Sequence, residues 1–309
     1  MCLMMNSYKH TFLHRFDKDE VIPYYCAGDF PDLECEEGAF VNDLGAKVRY
    51  YLYDYAGYDP TKLVLLCPGM GPGHTGYLTE IERLCRAGYR VLTLDYMGCD
   101  RSEGDAMPSV NQPTKDVLQL LDHLKPQEEV VLWGHSLGGY TALNVIRLSP
   151  AIKRAVIISG FVDIESELLD CVKLRCIIKP VTRYERKANP EMASGDNVGY
   201  LRATRDRILW IHSTDDPVVN YRNNAGKVEA AGNPNVKMLT VEGKRHTPHY
   251  SAEGLAYMTQ TMGGYARLVK ENKGLSLEDK QRYFEDKPIA RMTDQDPAVW
   301  EEILATYAD

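Results

Sequence analysis

The sequence predicts an α/β fold whose core is a mainly parallel sheet flanked by helices. Continuous apolar runs without polar alternation, at Leu63 to Cys67 and Arg154 to Ser159, are typical of strands covered on both faces. Apolar residues recur at helical spacing in the segments between such runs, as in Gln112 to Leu124. Strands that alternate with helices at this spacing indicate right-handed crossovers, and therefore parallel strands.

The remaining elements complete a sheet of eight strands. Strands are predicted at Ala39 to Asn42, Lys47 to Tyr55, Arg90 to Asp95, Val130 to Trp133, Arg207 to His212 and Val236 to Val241. The first two surround a turn at Asn42-Asp43-Leu44-Gly45, which indicates an antiparallel hairpin at the sheet edge. Further helices are predicted at Tyr77 to Ala87, from Leu137 onward, at Ala252 to Glu271, and over a stripe of Trp300, Ile303, Leu304 and Tyr307.

The alternation of strands and helices divides the chain into three parts. Residues 1–162 hold an N-terminal arm, in which we expect little chemistry, and the first part of the core. In residues 163–206 the alternation stops, and Pro180 and Pro190 break any long helix, so we predict an insertion or a plain surface excursion. Residues 207–309 hold the second part of the core and a C-terminal helical tail.

Composition narrows the functional classes. The 309 residues include 44% hydrophobic and 26% charged residues, as in ordinary globular domains. A net charge of −8 argues against a nucleic-acid or anionic-membrane partner. No apolar run reaches the length of a membrane span, and no charged leader precedes an apolar stretch, so we expect a cytoplasmic protein. The eight cysteines show no metal-site spacing and favour buried free thiols; no metal is predicted.

The segment from Val130 to Gly138 contains the candidate nucleophile. The apolar run Val130 to Trp133 gives way to a helical pattern across Gly134-His135-Ser136-Leu137-Gly138, which fits Gly-x-Ser-x-Gly. Such a tight turn forces strained backbone angles on Ser136 and leaves room for the helix only if its neighbours lack side chains. The helix N-terminus favours negative charge beside the Ser136 hydroxyl. The simpler alternative is that Ser136 is a helix N-cap in a packing turn.

At these residues the sequence resembles the α/β-hydrolase superfamily, in its serine esterase, lipase and peptidase branch. The resemblance implies the α/β-hydrolase fold, with a mainly parallel eight-stranded sheet and a small lid at the 163–206 insertion. It also extends to the turn after Asp95, where Gly98, Ser102 and Gly104 match the family pattern. We give Asp95 a scaffolding role, as a buried hydrogen-bonding group.

The resemblance also implies the partners of Ser136. The family pattern after the strand at 207–212 puts the acid at Asp216, and the loop after the last strand delivers the base at His246. An imidazole accepts and returns protons near neutral pH, and a carboxylate fixes its tautomer. Asp163 is a rival acid, His249 is the next candidate base, and Asp215 is expected to be solvated or turn-forming. We expect His135 and His212 to be structural.

The oxyanion hole is predicted from two loops. In the family one donor is the amide after the nucleophile, here Leu137, and the other comes from the loop after the strand at Leu63 to Cys67. By position this second donor is Met70, with Gly71 as second choice. The loop departs from the common His-Gly pair because Pro68 stands in the His position.

These residues predict a serine hydrolase that cleaves a small or medium acyl ester through an acyl-enzyme, without a cofactor. A serine aminopeptidase is the nearest alternative, and it would need an acidic group for the substrate amine. Glu165, Glu167 or Asp170 of the insertion could serve. Thioester hydrolysis, acyl transfer and a non-catalytic binding protein of the same fold also stay open, and the oligomeric state is not predicted.

Overall fold

The computed structural model describes residues 2–59, 61–171, 176, 178–193 and 195–308. Within them a sheet of eight strands runs in the order β1-β2-β4-β3-β5-β6-β7-β8. The strands are β1 Glu34–Val41, β2 Lys47–Asp54, β3 Lys62–Cys67, β4 Arg90–Asp95, β5 Glu129–His135, β6 Arg154–Ile158, β7 Arg207–Ser213 and β8 Val236–Val241. The predicted fold class is confirmed. Seven predicted strands are found within two residues of their expected bounds, whereas β1 begins at Glu34, five residues before the predicted Ala39.

Helices flank the sheet on both faces. They are α1 Cys2–Phe12, α2 Leu78–Arg86, α3 Gln112–Leu124, α4 Leu137–Leu148, α5 Ile164–Cys171, α6 Ile178–Ala188, α7 Pro190–Ala193, α8 Asn197–Ala203, α9 Ala225–Ala231, α10 Ala252–Glu271, α11 Leu277–Arg282, α12 Ile289–Met292 and α13 Pro297–Tyr307. No helix of the described residues is both long enough and apolar enough to cross a membrane.

The pairing of the strands fixes which loops can meet. β1 and β2 form the predicted antiparallel hairpin, and β2 pairs antiparallel with β4. All pairs from β4 to β8 are parallel, so the loops that follow these strands emerge at one edge of the sheet. In β3 every residue is buried, which is why its sequence shows no alternation.

The two faces of the sheet hold separate apolar clusters. α3 and α4 pack on one face, around side chains such as Leu120 and Leu143. On the other face α13 buries Trp300, Ile303 and Tyr307 completely. The Tyr307 hydroxyl donates to the carbonyl of Leu132 in the central strand at 2.9 Å. The predicted docking of the C-terminal stripe is therefore confirmed.

The insertion is helical, and its prolines lie where helices begin. Pro180 is in the first turn of α6 and Pro190 is the first residue of α7, positions at which a missing N–H costs little. Residues 172–175, 177 and 194 of the insertion lie outside the described residues. The division of the chain into 1–162, 163–206 and 207–309, and the function of the insertion as a lid, stay predictions.

Candidate active site

Ser136 occupies a strained turn between β5 and α4. Its backbone angles are φ 57° and ψ −120°, a region that a residue with a side chain rarely adopts. A Cβ atom at Gly138 would lie 1.9 Å from the carbonyl oxygen of Cys67, and one at Gly134 would lie 2.2 Å from the carbonyl oxygen of Gly138. The helix can therefore approach the strands only because both positions lack a side chain, as predicted from the Gly-x-Ser-x-Gly pattern.

His246 and Asp216 form a close pair on neighbouring loops. His246 Nδ1 lies 2.9 Å from Asp216 Oδ2 and 3.0 Å from Oδ1. The backbone amides of Val218 and Val219 also donate to Asp216 Oδ1, at 2.8 and 3.0 Å. Burial by itself would raise the pKa of the Asp216 carboxyl. Hydrogen bonds from His212 and His246 outweigh that effect and lower the pKa below its ordinary value, so the carboxylate is ionised.

Ser136 and His246 line the same cavity, which has a volume of about 610 Å³. Met70 and Leu137, the two predicted oxyanion donors, line it as well. Among the described residues no hydrogen bond joins the Ser136 hydroxyl to His246. In proteins without substrate such bonds are often long, and they tighten when substrate binds.

The two predicted oxyanion donors have different surroundings. Leu137 is the first residue of α4, so its N–H has no partner within the helix. Met70 is 37% exposed and lies in the loop that follows β3. This loop approaches the nucleophile closely, because a Cβ at Gly69 would lie 3.4 Å from the Cβ of Ser136. The assignment of Met70, and not Gly71, as the second oxyanion donor stays a prediction.

A hydrogen-bonded chain that the sequence analysis missed joins the oxyanion loop to the histidine loop. The Gly69 amide donates to the Tyr77 hydroxyl at 2.9 Å, and that hydroxyl lies 2.9 Å from His135 Nδ1. His135 Nε2 lies 2.8 Å from the carbonyl oxygen of His246. A carbonyl only accepts, so Nε2 carries the proton and Nδ1 accepts from Tyr77. Burial, with His246 and His249 nearby, lowers the pKa of His135 well below its ordinary value and keeps the ring neutral.

The rival residues have other partners. Asp163 accepts from the amide and hydroxyl of Ser166 at 2.7 and 2.8 Å, in the first turn of α5. Asp215 is exposed and accepts from Ser213, as expected for a turn-forming residue. His249 is buried, with Nε2 3.0 Å from Glu80 Oε1. None of these three rivals lines the cavity of Ser136.

Side chains from the insertion and from the N-terminal arm form part of the cavity lining. From the insertion, Glu167 lines it and is 9% exposed. Glu165 is exposed and lines a different cavity, and the side chain of Asp170 lies outside the described residues. From the N-terminal arm, Tyr8 and Phe12 line it, although the sequence analysis expects little chemistry there. That expectation rests on irregular composition, which carries no information about where an arm folds back.

A second histidine–aspartate pair lies elsewhere, between a residue that follows β3 and the last residue of β4. His74 Nδ1 lies 2.8 Å from Asp95 Oδ1, and the Tyr51 hydroxyl donates to Asp95 Oδ2 at 2.9 Å. Among the described residues, His74, Asp95 and Asp100 form a group whose possible ligand atoms all lie within 4.8 Å of one another, close enough to hold a metal ion. Asp95 is fully buried and both its oxygens accept hydrogen bonds, which fits the scaffolding role predicted for it.

Part of the sequence is similar to known hydrolases and peptidases. Residues 58–207 match the family model described as serine aminopeptidase, S33. A lysophosphatidylserine lipase from Gallus gallus is 30% identical over 155 residues, which cover 45% of this chain and 38% of the lipase. A proline iminopeptidase from Saccharolobus solfataricus is 28% identical over 213 residues, 63% of this chain and 64% of the relative. The matched part thus spans about two fifths of the lipase and less than two thirds of the peptidase.

Solved structures give the same fold. An esterase from Pyrococcus furiosus superposes with a TM-score of 0.57 at 16% identity, over 84% of this chain and 99% of the esterase. Est1E from Butyrivibrio proteoclasticus gives a TM-score of 0.55 at 15% identity, over 75% of this chain and 99% of that one. At such identities the likeness shows the fold alone. The chain thus has the α/β-hydrolase fold, and the part that matches the family model, slightly less than half of its length, is similar in sequence to the serine esterase, lipase and peptidase branch of that superfamily.

Proposed function

We propose that this protein is a serine hydrolase that cleaves a carboxylic ester through an acyl-enzyme, with Ser136, His246 and Asp216 as its catalytic triad. The observation that carries the proposal is the His246–Asp216 hydrogen bond beside the cavity that also holds the strained Ser136 turn. An alcohol needs a base to become a nucleophile, and an imidazole held by a carboxylate supplies one.

The reaction follows from these positions. His246 takes the proton of the Ser136 hydroxyl while the oxygen attacks the ester carbonyl carbon. The amides of Met70 and Leu137 stabilise the oxyanion, and loss of one such donor costs about 3 kcal/mol in comparable sites. The carbon–oxygen bond to the alcohol breaks, and His246 protonates the leaving alcohol. A water molecule then gives a proton to His246 and attacks the acyl carbon. The bond from that carbon to the Ser136 oxygen breaks, His246 returns the proton to Ser136, and the acid is released. These steps need no cofactor; its absence and a cytoplasmic location stay predictions.

Labelling with a fluorophosphonate tests the nucleophile directly. We expect the wild-type protein to be labelled and the Ser136→Ala variant to remain unlabelled, because the reagent bonds only to an activated hydroxyl. Ser149, which follows α4, offers a matched control, since Ser149→Ala should label like the wild type. A wild-type protein that takes no label would contradict the proposal and favour a non-catalytic binding protein of the same fold.

A serine aminopeptidase is the second candidate, and Glu167 is the observation that favours it. Its carboxylate is buried in the lining of the cavity and could receive a substrate ammonium group. Aminoacyl-anilides assayed beside p-nitrophenyl esters would separate the two activities. If the peptidase reading is right, Glu167→Gln lowers kcat/KM for the anilide by about 10- to 100-fold, as for a lost hydrogen bond to a charged group. Glu165→Gln is the control, and acyl-thioesters in the same panel test thioester hydrolysis.

A further inference from the structure

The cavity of Ser136 has a wall that comes from outside the part of the chain that the family model matches. That match begins at residue 58, whereas Tyr8, Thr11, Phe12 and Phe16 belong to the N-terminal arm and line the cavity. Tyr8 and Phe12 are four residues apart and therefore share one face of α1. Their ring centroids lie 5.4 Å apart.

A buried carboxylate holds the beginning of this wall. The Tyr8 hydroxyl donates at 2.7 Å to Glu185 of α6, and Glu185 is fully buried. Glu185 also accepts from the Ser109 hydroxyl and from the Asn111 side-chain amide, the latter at 2.9 Å. The Tyr140 hydroxyl of α4 donates to Asn111 at 2.7 Å. The network thus connects α1 to the insertion and to the helix that begins after Ser136, and a buried network of this kind fixes its members in place.

The end of the wall is held by backbone pairing. The Phe16 amide donates to the carbonyl of Gly98 at 3.0 Å, and the Phe16 carbonyl accepts from the Asp100 amide at 2.8 Å. The guanidinium of Arg15 donates to the carbonyls of Ser102 and Gly104, at 3.0 and 2.8 Å. Because both ends of the segment are tied to the core, its aromatic side chains occupy defined positions in the cavity.

We propose that the face of α1 with Tyr8 and Phe12 is the specificity-determining wall of the acyl site, and that the acyl group is an aliphatic chain whose length Phe12 limits. The inference rests on the proposed ester hydrolysis. Ile164 and Leu168 of α5 face the same cavity, so aliphatic and aromatic side chains predominate around it. A chain of methylene groups gains free energy when it leaves water for such a lining, and a polar acyl group would lose hydrogen bonds.

A series of saturated p-nitrophenyl esters, from acetyl to hexadecanoyl, tests the inference on the chain of residues 1–309. In Phe12→Ala the cavity is larger, so the ratio of kcat/KM for long esters to that for short esters should rise by about tenfold, the effect of one or two methylene groups in an apolar pocket. Phe12→Trp should shift the optimum to shorter chains. His10→Ala is the matched control, because His10 is exposed on the same helix and does not line the cavity.

Three outcomes separate the inference from the proposed function. If Ser136 takes the fluorophosphonate label and the chain-length profile is the same in wild type, Phe12→Ala and Phe12→Trp, the inference is wrong while the hydrolase proposal survives. If the wild-type protein neither takes the label nor cleaves any ester, both are wrong. If Phe12→Ala does not fold, as judged by circular dichroism, Phe12→Leu replaces it. That variant should show a smaller shift in the same direction, and an unmoved profile in it overturns the inference.

Discussion

Two histidine–aspartate pairs lie at or beyond the carboxyl ends of strands of the sheet, yet their surroundings differ. The distance between nitrogen and oxygen is 2.9 Å for His246 and Asp216 and 2.8 Å for His74 and Asp95. The His246 ring faces the cavity with Ser136. The His74 ring stacks on Tyr51, with ring centroids 3.7 Å apart, and neither residue of this pair lines the cavity of Ser136.

The comparison shows that a histidine–carboxylate pair does not make an active site by itself. The cavity beside His74, of about 490 Å³, is lined by the hydroxyl-bearing Thr75 and the thiols Cys26 and Cys35, and burial raises the pKa of the Cys35 thiol. A pair acts on substrate only where a nucleophile, amide donors and open space meet it. We propose that these conditions meet around Ser136 and His246, which line one cavity.

The largest expected effect separates the two histidines. His246→Ala should lower kcat/KM for p-nitrophenyl esters by about 10⁴-fold or more, because nothing else takes the proton of Ser136. His74→Ala should leave kcat/KM close to the wild-type value. It should instead lower the free energy of unfolding by about 2 kcal/mol or more, through a lost buried ring and its hydrogen bond. Retained activity in His246→Ala would move the base elsewhere, and His249→Ala would be tested next.

The two aspartates provide the next test. Asp216→Asn should lower kcat by about 10³- to 10⁴-fold, because an amide no longer holds the imidazole in the required tautomer. Asp95→Asn should keep kcat and lose about 1–3 kcal/mol of stability, because it disturbs a fully buried acceptor. Steady-state kinetics and urea unfolding on both variants give the two readouts. If both lose kcat alike, the distinction between the pairs does not hold.

The fold was predictable from the sequence because each of its parts leaves a local pattern. β3 is apolar throughout since both of its faces are covered, and the Trp300 to Tyr307 stripe buries one face of a helix. Ser136 was recognisable since its turn needs Gly134 and Gly138 as neighbours. Asp216 and His246 follow strands that are parallel neighbours, so their contact follows from strand order once the family resemblance supplies it.

What the sequence could not predict depends on contacts between distant segments. The arm of residues 2–16 has no strand or helix pattern that says where it folds, and its position is set by Glu185, far along the chain. Nor does local spacing indicate that the Tyr77 hydroxyl reaches His135, since a tyrosine on an amphipathic helix is usually core. His135 directly precedes the nucleophile, and that position was the only signal of its part in the site.

A smaller effect is expected from the hydrogen-bonded chain that joins the Gly69 amide, Tyr77 and His135 to the carbonyl of His246. At the other pair, the His74 ring stacks on Tyr51 instead. Tyr77→Phe leaves the Gly69 amide and His135 Nδ1 without the hydroxyl. It should lower kcat about tenfold with KM unchanged, because the oxyanion donors act only in the transition state. Tyr55→Phe is the control, since the Tyr55 hydroxyl contacts Glu82 away from the site. A KM effect alone would contradict a positioning role.

The smallest effect is a dependence of stability on pH. The pKa of the buried Asp216 lies below its ordinary value in the folded protein, and it is about 3.9 when the chain unfolds. Between these values the unfolded chain binds more protons, so this contribution is present above about pH 4 and is lost as the pH falls through the folded pKa. Urea unfolding at about pH 3 and pH 6 should show a loss on the order of 1 kcal/mol that Asp216→Asn lacks and that Glu253→Gln, an exposed control, keeps. An equal loss in wild type and Asp216→Asn would show that other carboxylates account for the acid sensitivity.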